Sequence, residues 1–148
     1  SRTALRQSVS IEKDVDDAKP PITSFGRKIE LLEYHIEPVG DSRLDLEFVW
    51  RARTSIGGDV PHFAVTHVGD SCSSRIVHLP TVALYPTTKW RAGDVVRERF
   101  EVELSQEVSG RPMRLRVSWY DGAHWAAAFT DERSRLGAKY DLIIAIPE

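Results

Sequence analysis

Cysteine is almost missing. Cys72 is the only one in 148 residues, so no disulfide can form within the chain, and stability must come from a packed core. That demand is modest, because a domain of this size buries roughly two thirds of the surface its unfolded chain would expose. A single thiol also leaves the redox compartment open. An excess of one charge sign is absent too: 20 Lys and Arg face 22 Asp and Glu, a formal net charge of −2. With the two signs interspersed, no broad positive field exists to attract a polyphosphate backbone or an anionic membrane, which argues against a nucleic-acid partner. Long apolar runs are lacking as well. The longest, Leu142 to Ile146, falls far short of the ~20 residues that span a bilayer. The sequence given opens at Ser1 without an apolar signal region, so any signal peptide or membrane anchor is expected in regions outside it.

What is present is a change of pattern near residue 25. Residues 1–25 are polar and charged, and they end on the rigid pair Pro20-Pro21. Leu5, Val9, Ile11 and Val15 make only a weak stripe, and the segment is expected to be a flexible leader or linker. Residues 26–148 are expected to form the domain. From Lys28 the apolar residues recur with period two, the mark of strands with one buried face. Arg43 to Arg51 is the clearest case, with Leu44, Leu46, Phe48 and Trp50 opposed to Arg43, Asp45, Glu47 and Arg51. Phe63 to Val68, Arg75 to Leu79, Val95 to Leu104, Met113 to Trp119 and Tyr140 to Ile146 follow. Glu98 interrupts the apolar face of its strand, and Asp121-Gly122 signals a tight hairpin turn. Short strands with frequent turn signals and no helical period predict an all-β fold, a two-sheet antiparallel β-sandwich of immunoglobulin-like or jelly-roll topology.

Four segments, in order, carry a resemblance. They are Phe48-Val49-Trp50-Arg51-Ala52, Phe63-Ala64-Val65-Thr66-His67-Val68, the run from Leu84 through Trp90-Arg91-Ala92-Gly93-Asp94 to Arg97, and Leu115-Arg116-Val117-Ser118-Trp119-Tyr120-Asp121. Together they are similar to β-sandwich domains appended to bacterial membrane glycosyltransferases of the dolichyl-phosphate-mannose type. The resemblance spans about Ile29 to Ile146. It implies a sandwich on the outer side of a membrane, accessory to enzymes acting on lipid-linked sugars and without catalytic residues of its own. The charged leader stands where that family has transmembrane helices, so a related stand-alone envelope protein is equally implied. The expectation is therefore an extracytoplasmic accessory or interaction module with an envelope protein or glycan as partner. A glycan-binding module is the first alternative and a hydrolase or metalloenzyme the second.

Candidate chemistry is thin. His62 and His67 lie five apart in a strand, on opposite faces, and cannot share an ion without a bulge. His78 has no Cys or carboxylate at ligand spacing, so no metal or other cofactor is expected. His67 reads as a core histidine satisfied by backbone. Ser71-Cys72-Ser73-Ser74 offers nucleophiles without the Gly-x-Ser-x-Gly elbow that would activate them, and no catalytic residue is assigned. Glu98, Glu101 and Glu103 read as solvated or ion-paired strand positions. The aromatics Phe48, Trp50, Phe63, Phe100 and Trp119 are assigned to the core. Tyr85, Trp90 and Trp125 lie in or beside loops, where exposed rings could stack on a sugar, and these are the candidate ligand-binding residues. Trp90 has a competing role as a plug for the open end of the sandwich.

Overall fold

The alternation predicted from Lys28 onward becomes strand pairing. A computed structural model of the chain describes residues 5–12, 19–40, 42–58, 61–68, 75–78, 84–103, 114–129 and 140–147. Among these the strands are β1 (Leu5–Glu12), β2 (Thr23–Phe25), β3 (Ile29–Val39), β4 (Arg43–Ala52), β5 (Phe63–Val68), β6 (Arg75–Val77), β7 (Val95–Glu103), β8 (Arg114–Tyr120), β9 (Ala128–Phe129) and β10 (Leu142–Ala145), with one 3-10 turn at Thr87–Lys89. A six-stranded sheet runs β1-β7-β4-β3-β2-β9 and a four-stranded sheet runs β10-β8-β5-β6. Every pairing is antiparallel. The protein is an all-β sandwich of two antiparallel sheets. Between β4 and β7, which are neighbours in the large sheet, the chain visits β5 and β6, which are neighbours in the small one. That Greek-key path places consecutive segments on both sides of one core.

The core is the sum of the inward faces. Leu44, Leu46, Phe48 and Trp50 of β4 and Val96, Phe100 and Val102 of β7 join Leu115, Val117 and Trp119 of β8, all buried. The sheets meet ring to ring where Trp50 and Trp119 stand edge to face, centroids 5.0 Å apart and planes at 84°. Trp50 also stacks on Phe48 at 5.6 Å. Phe63 departs from the expectation: it lies half-buried on the outer face with His67, while Ala64 and Val68 of the same strand belong to the core. Only the even-numbered face of β5 joins that core, although Val65 on the other face is also buried.

Two parts of residues 1–25 are strands rather than leader. Leu5–Glu12 forms an edge strand paired with β7, with a register shift between Leu5 and Ser8. Thr23–Phe25 pairs with both β3 and β9, and Thr23 and Phe25 are fully buried. Gly26 and Arg27 both have positive φ, 59° and 58°, as the two central positions of a type I′ turn require, and the Lys28 N–H closes that turn on the Phe25 carbonyl at 3.1 Å. Between the two strands, the Lys19 carbonyl accepts a hydrogen bond at 3.0 Å from Arg51 Nη2, and Arg51 Nε is held at 2.9 Å by the buried Glu30 carboxylate. Residues 13–18 lie outside the described residues. The scarcity of apolar residues in the segment suggests a leader, yet an edge strand needs only main-chain pairing and one covered side. Deleting residues 1–22 should therefore lower the melting temperature by at least about 5 °C, the equivalent of some 2 kcal/mol for a chain of this length. An unchanged melting curve would contradict the pairing of β1 with β7.

Candidate functional site

Polar side chains on the inward faces are the first place to look, because each must find a partner or cost free energy. In β7, Glu98 shares the inward face with Val96, Phe100 and Val102. In β5, Thr66 lies between Ala64 and Val68, and His78 follows β6 with the parity of the buried Ile76. The pairing of β5 with β6 is prolonged by a hydrogen bond from the His78 N–H to the Ala64 carbonyl, 2.9 Å. This turns the imidazole into the core.

There the three side chains join in a chain that crosses between the sheets. Thr66 Oγ1 lies 2.5 Å from His78 Nε2, His78 Nδ1 lies 2.6 Å from Glu98 Oε1, and the Trp50 indole N–H donates to the same oxygen at 2.9 Å. An indole N–H only donates, so Oε1 is an acceptor. His78 Nδ1 therefore donates to it, and Nε2 meets the Thr66 hydroxyl, a group able both to donate and to accept. Phe48 and Phe100 flank the imidazole at 5.3 and 4.7 Å. Hydroxyl, imidazole and carboxylate thus follow the order of a nucleophilic triad. All three residues are, however, 0 % exposed, so no substrate carbonyl can approach the hydroxyl in this conformation.

Two expectations are corrected here. His78, not the half-buried His67, is the core histidine, and it is satisfied by side chains rather than by backbone. Glu98 is neither solvated nor a surface ion-pair partner, although its neighbours Glu101 and Glu103 keep partly or fully exposed positions. The Ser71-Cys72-Ser73-Ser74 candidates lie outside the described residues. Among the described residues no three His, Cys, Asp or Glu side chains gather into a possible metal site, and no helix is long and apolar enough to cross a membrane.

The predicted ligand-binding residues separate. Trp90 is 1 % exposed; its indole N–H donates to the Tyr85 carbonyl at 3.0 Å, and its ring meets Trp119 edge to face at 5.7 Å. It plugs the end of the sandwich and offers no face for a sugar. The loop around it is tied by the Gly93 N–H to the Ala52 carbonyl, 2.8 Å, and by the Trp90 N–H to the Thr87 carbonyl, 3.0 Å. Tyr85 stacks on Trp90 at 6.4 Å, and its hydroxyl donates to Asp94 Oδ2 at 3.2 Å. Burial and the nearby Asp94 carboxylate push that phenol up from its ordinary range. It borders a shallow depression with Ser55, Thr88 and Arg91.

Trp125 belongs to a different surface, the outer face of the four-stranded sheet. The Asp121-Gly122 turn forms as predicted, with the Asp121 carboxylate accepting the N–H groups of Ala123 and His124 at 2.8 and 2.7 Å. These two bonds hold its carboxyl below the usual range. The returning chain bridges only Tyr120 to Trp125 before leaving for β9 in the other sheet. The outer face then reads in rows. Phe63 pairs with Tyr120, their rings 5.3 Å apart, and Trp125 lies 4.9 Å from Tyr120. Val65 is flanked by Val77 and Ser118. His67 is flanked by Arg75 and Arg116. Arg75 links the ends of the face, its guanidinium 5.6 Å over the Trp125 ring. Burial, then the Arg116 and Arg75 charges against an opposing pull from Asp141, set the His67 ring below the ordinary histidine range. The cationic row is not legible in the sequence, because residues 67, 75 and 116 become one row only through strand pairing.

Comparison with family models, with curated proteins and with solved structures finds no match.

Proposed function

We infer that this domain is a non-catalytic accessory or interaction module of the bacterial cell envelope, linked to polysaccharide or glycosyl-transfer systems. One observation carries the non-catalytic part: the hydroxyl-imidazole-carboxylate chain of Thr66, His78 and Glu98 is wholly buried and spans the sheets as a core strut. A catalytic group has to reach its substrate within hydrogen-bond distance, whereas a buried polar chain that satisfies donors in both layers favours one packing of the sheets over others. The envelope location and the tie to lipid-linked sugars rest on the resemblance of the four segments described above. An envelope protein or a glycan is the partner class this reading calls for. A glycan-binding module is the second reading, and the outer face that bears Trp125 is the observation that favours it.

The test is a panel of activated esters, phosphates and glycosides, assayed on the wild type and on Thr66→Val. Both should show the same background rate. Turnover that disappears in Thr66→Val or in a folded His78→Gln would make the chain catalytic and overturn this reading.

A further inference from the structure

We propose that the outer face of the four-stranded sheet binds an acidic saccharide, its carboxylate or phosphate held by the Arg75, His67 and Arg116 row and its sugar ring resting against Trp125 and Tyr120. The proposal rests on the reading of the domain as an interaction module and names the ligand class of that module.

Three features of the face point to an anion. First, Arg75, His67 and Arg116 are direct cross-strand neighbours on β6, β5 and β8, and neighbouring strands lie ~4.8 Å apart. Two permanent cations with a titratable ring between them repel one another unless an anion is shared among them. The Asp141 carboxylate, 3.7 Å from Arg116 Nη1, stands at one end of the row only. Secondly, Arg75 Nε, Arg116 Nε and His67 Nδ1 are shielded from solvent and have no hydrogen-bond partner among the described residues, so an incoming anion would be met by the outer Nη edges of the guanidiniums, the Arg116 side chain being 31 % exposed, which match a carboxylate or phosphate as a planar fork. Thirdly, the row stands about 13 Å from the Phe63 and Tyr120 pair, four residues along each strand, and Arg75 bends toward Trp125. An anionic group at Arg75 would therefore bring an attached ring beside the half-buried indole. Tryptophan and tyrosine supply the apolar area and polar edge that sugar rings use. A plain acidic peptide would satisfy the cations but leave the aromatic end without a role.

His67 makes the binding pH-dependent. In the free protein, burial and the two arginines disfavour its charged form, with Asp141 opposing them. A bound anion favours that form. Protons are then taken up on binding, so affinity rises as pH falls through the histidine range and levels off below the free-protein value.

Titration of the folded protein by two-dimensional amide NMR tests this, with trigalacturonate as the carboxylate probe, mannose 6-phosphate as the phosphate probe, maltotriose as the neutral control and hexaglutamate as the peptide control. Saturable shifts confined to β5, β6, β8 and the turn at 121–125 are expected with one or both acidic sugars, and the better probe identifies the anion. Binding should be at least tenfold tighter than for maltotriose, several-fold tighter at pH 5.5 than at pH 7.5, and lost at least tenfold in Arg75→Gln and in Trp125→Ala. His67→Gln should keep the pH 7.5 affinity and remove the pH dependence, an effect that mere loss of structure would not produce. Failure of both acidic sugars, or binding no tighter than maltotriose, overturns the proposal. Hexaglutamate binding alone would also overturn it while preserving the interaction-module reading, which falls only to the turnover test above.

Discussion

Trp50→Ala is expected to destabilise the domain by about 3 to 5 kcal/mol, at the upper end for single substitutions. The indole is fully buried; it stacks on Phe48, meets Phe25 edge to face at 6.0 Å and Trp119 at 5.0 Å, and donates to Glu98. Removing it opens a void at the contact between the sheets, where neither backbone can collapse without breaking its own ladder. Domains of this kind are stable by only about 5 to 15 kcal/mol in total, so the variant should sit near its threshold. Urea melts read this directly. A loss below about 1 kcal/mol would mean that β4 presents its other face to the core.

The second large effect is at Glu98. Glu98→Leu should cost about 3 to 5 kcal/mol, because it strips the acceptor from both the His78 ring and the Trp50 indole in a dry core. The cost belongs to the network and not to the carboxylate alone. Replacing His78 by Leu in the same chain should restore at least about 1 kcal/mol of coupling in a double-mutant cycle, since fewer donors are then left without an acceptor. Additive effects of the two substitutions would dissolve the strut into unrelated buried groups.

Much of the frame was readable from residues. The alternation of Leu44, Leu46, Phe48 and Trp50 places β4 and its buried face, and the break by Glu98 marks a polar group aimed inward. The parity of Thr66 with Ala64 and Val68, and of His78 with Ile76, carries the same message in two other strands. What no single strand reveals is that these three polar groups converge, since that depends on β7 lying opposite β5 and β6 across the core. The edge strand β1 escaped notice for a different reason. Leu5, Val9 and Ile11 share the parity of one strand face, but polar Gln7 and Lys13 interrupt it, and the spacing of four between Leu5 and Val9 suits a weak helical stripe as well. Trp90 looked like a loop residue because the loop it sits in folds back into the sandwich and carries the ring with it.

The most direct measurement of the central claim is hydrogen exchange at the Trp50 indole N–H and the His78 ring N–H, followed by NMR under native conditions. A strut sealed between two sheets releases these protons only when the whole domain unfolds, so both should exchange at the rate of the most protected strand amides. Exchange many orders of magnitude faster, by local opening while the strand amides stay protected, would show that solvent reaches Thr66, His78 and Glu98 in the folded protein. The chain would then have the access that a catalytic triad needs, and its reading as a structural strut would be wrong.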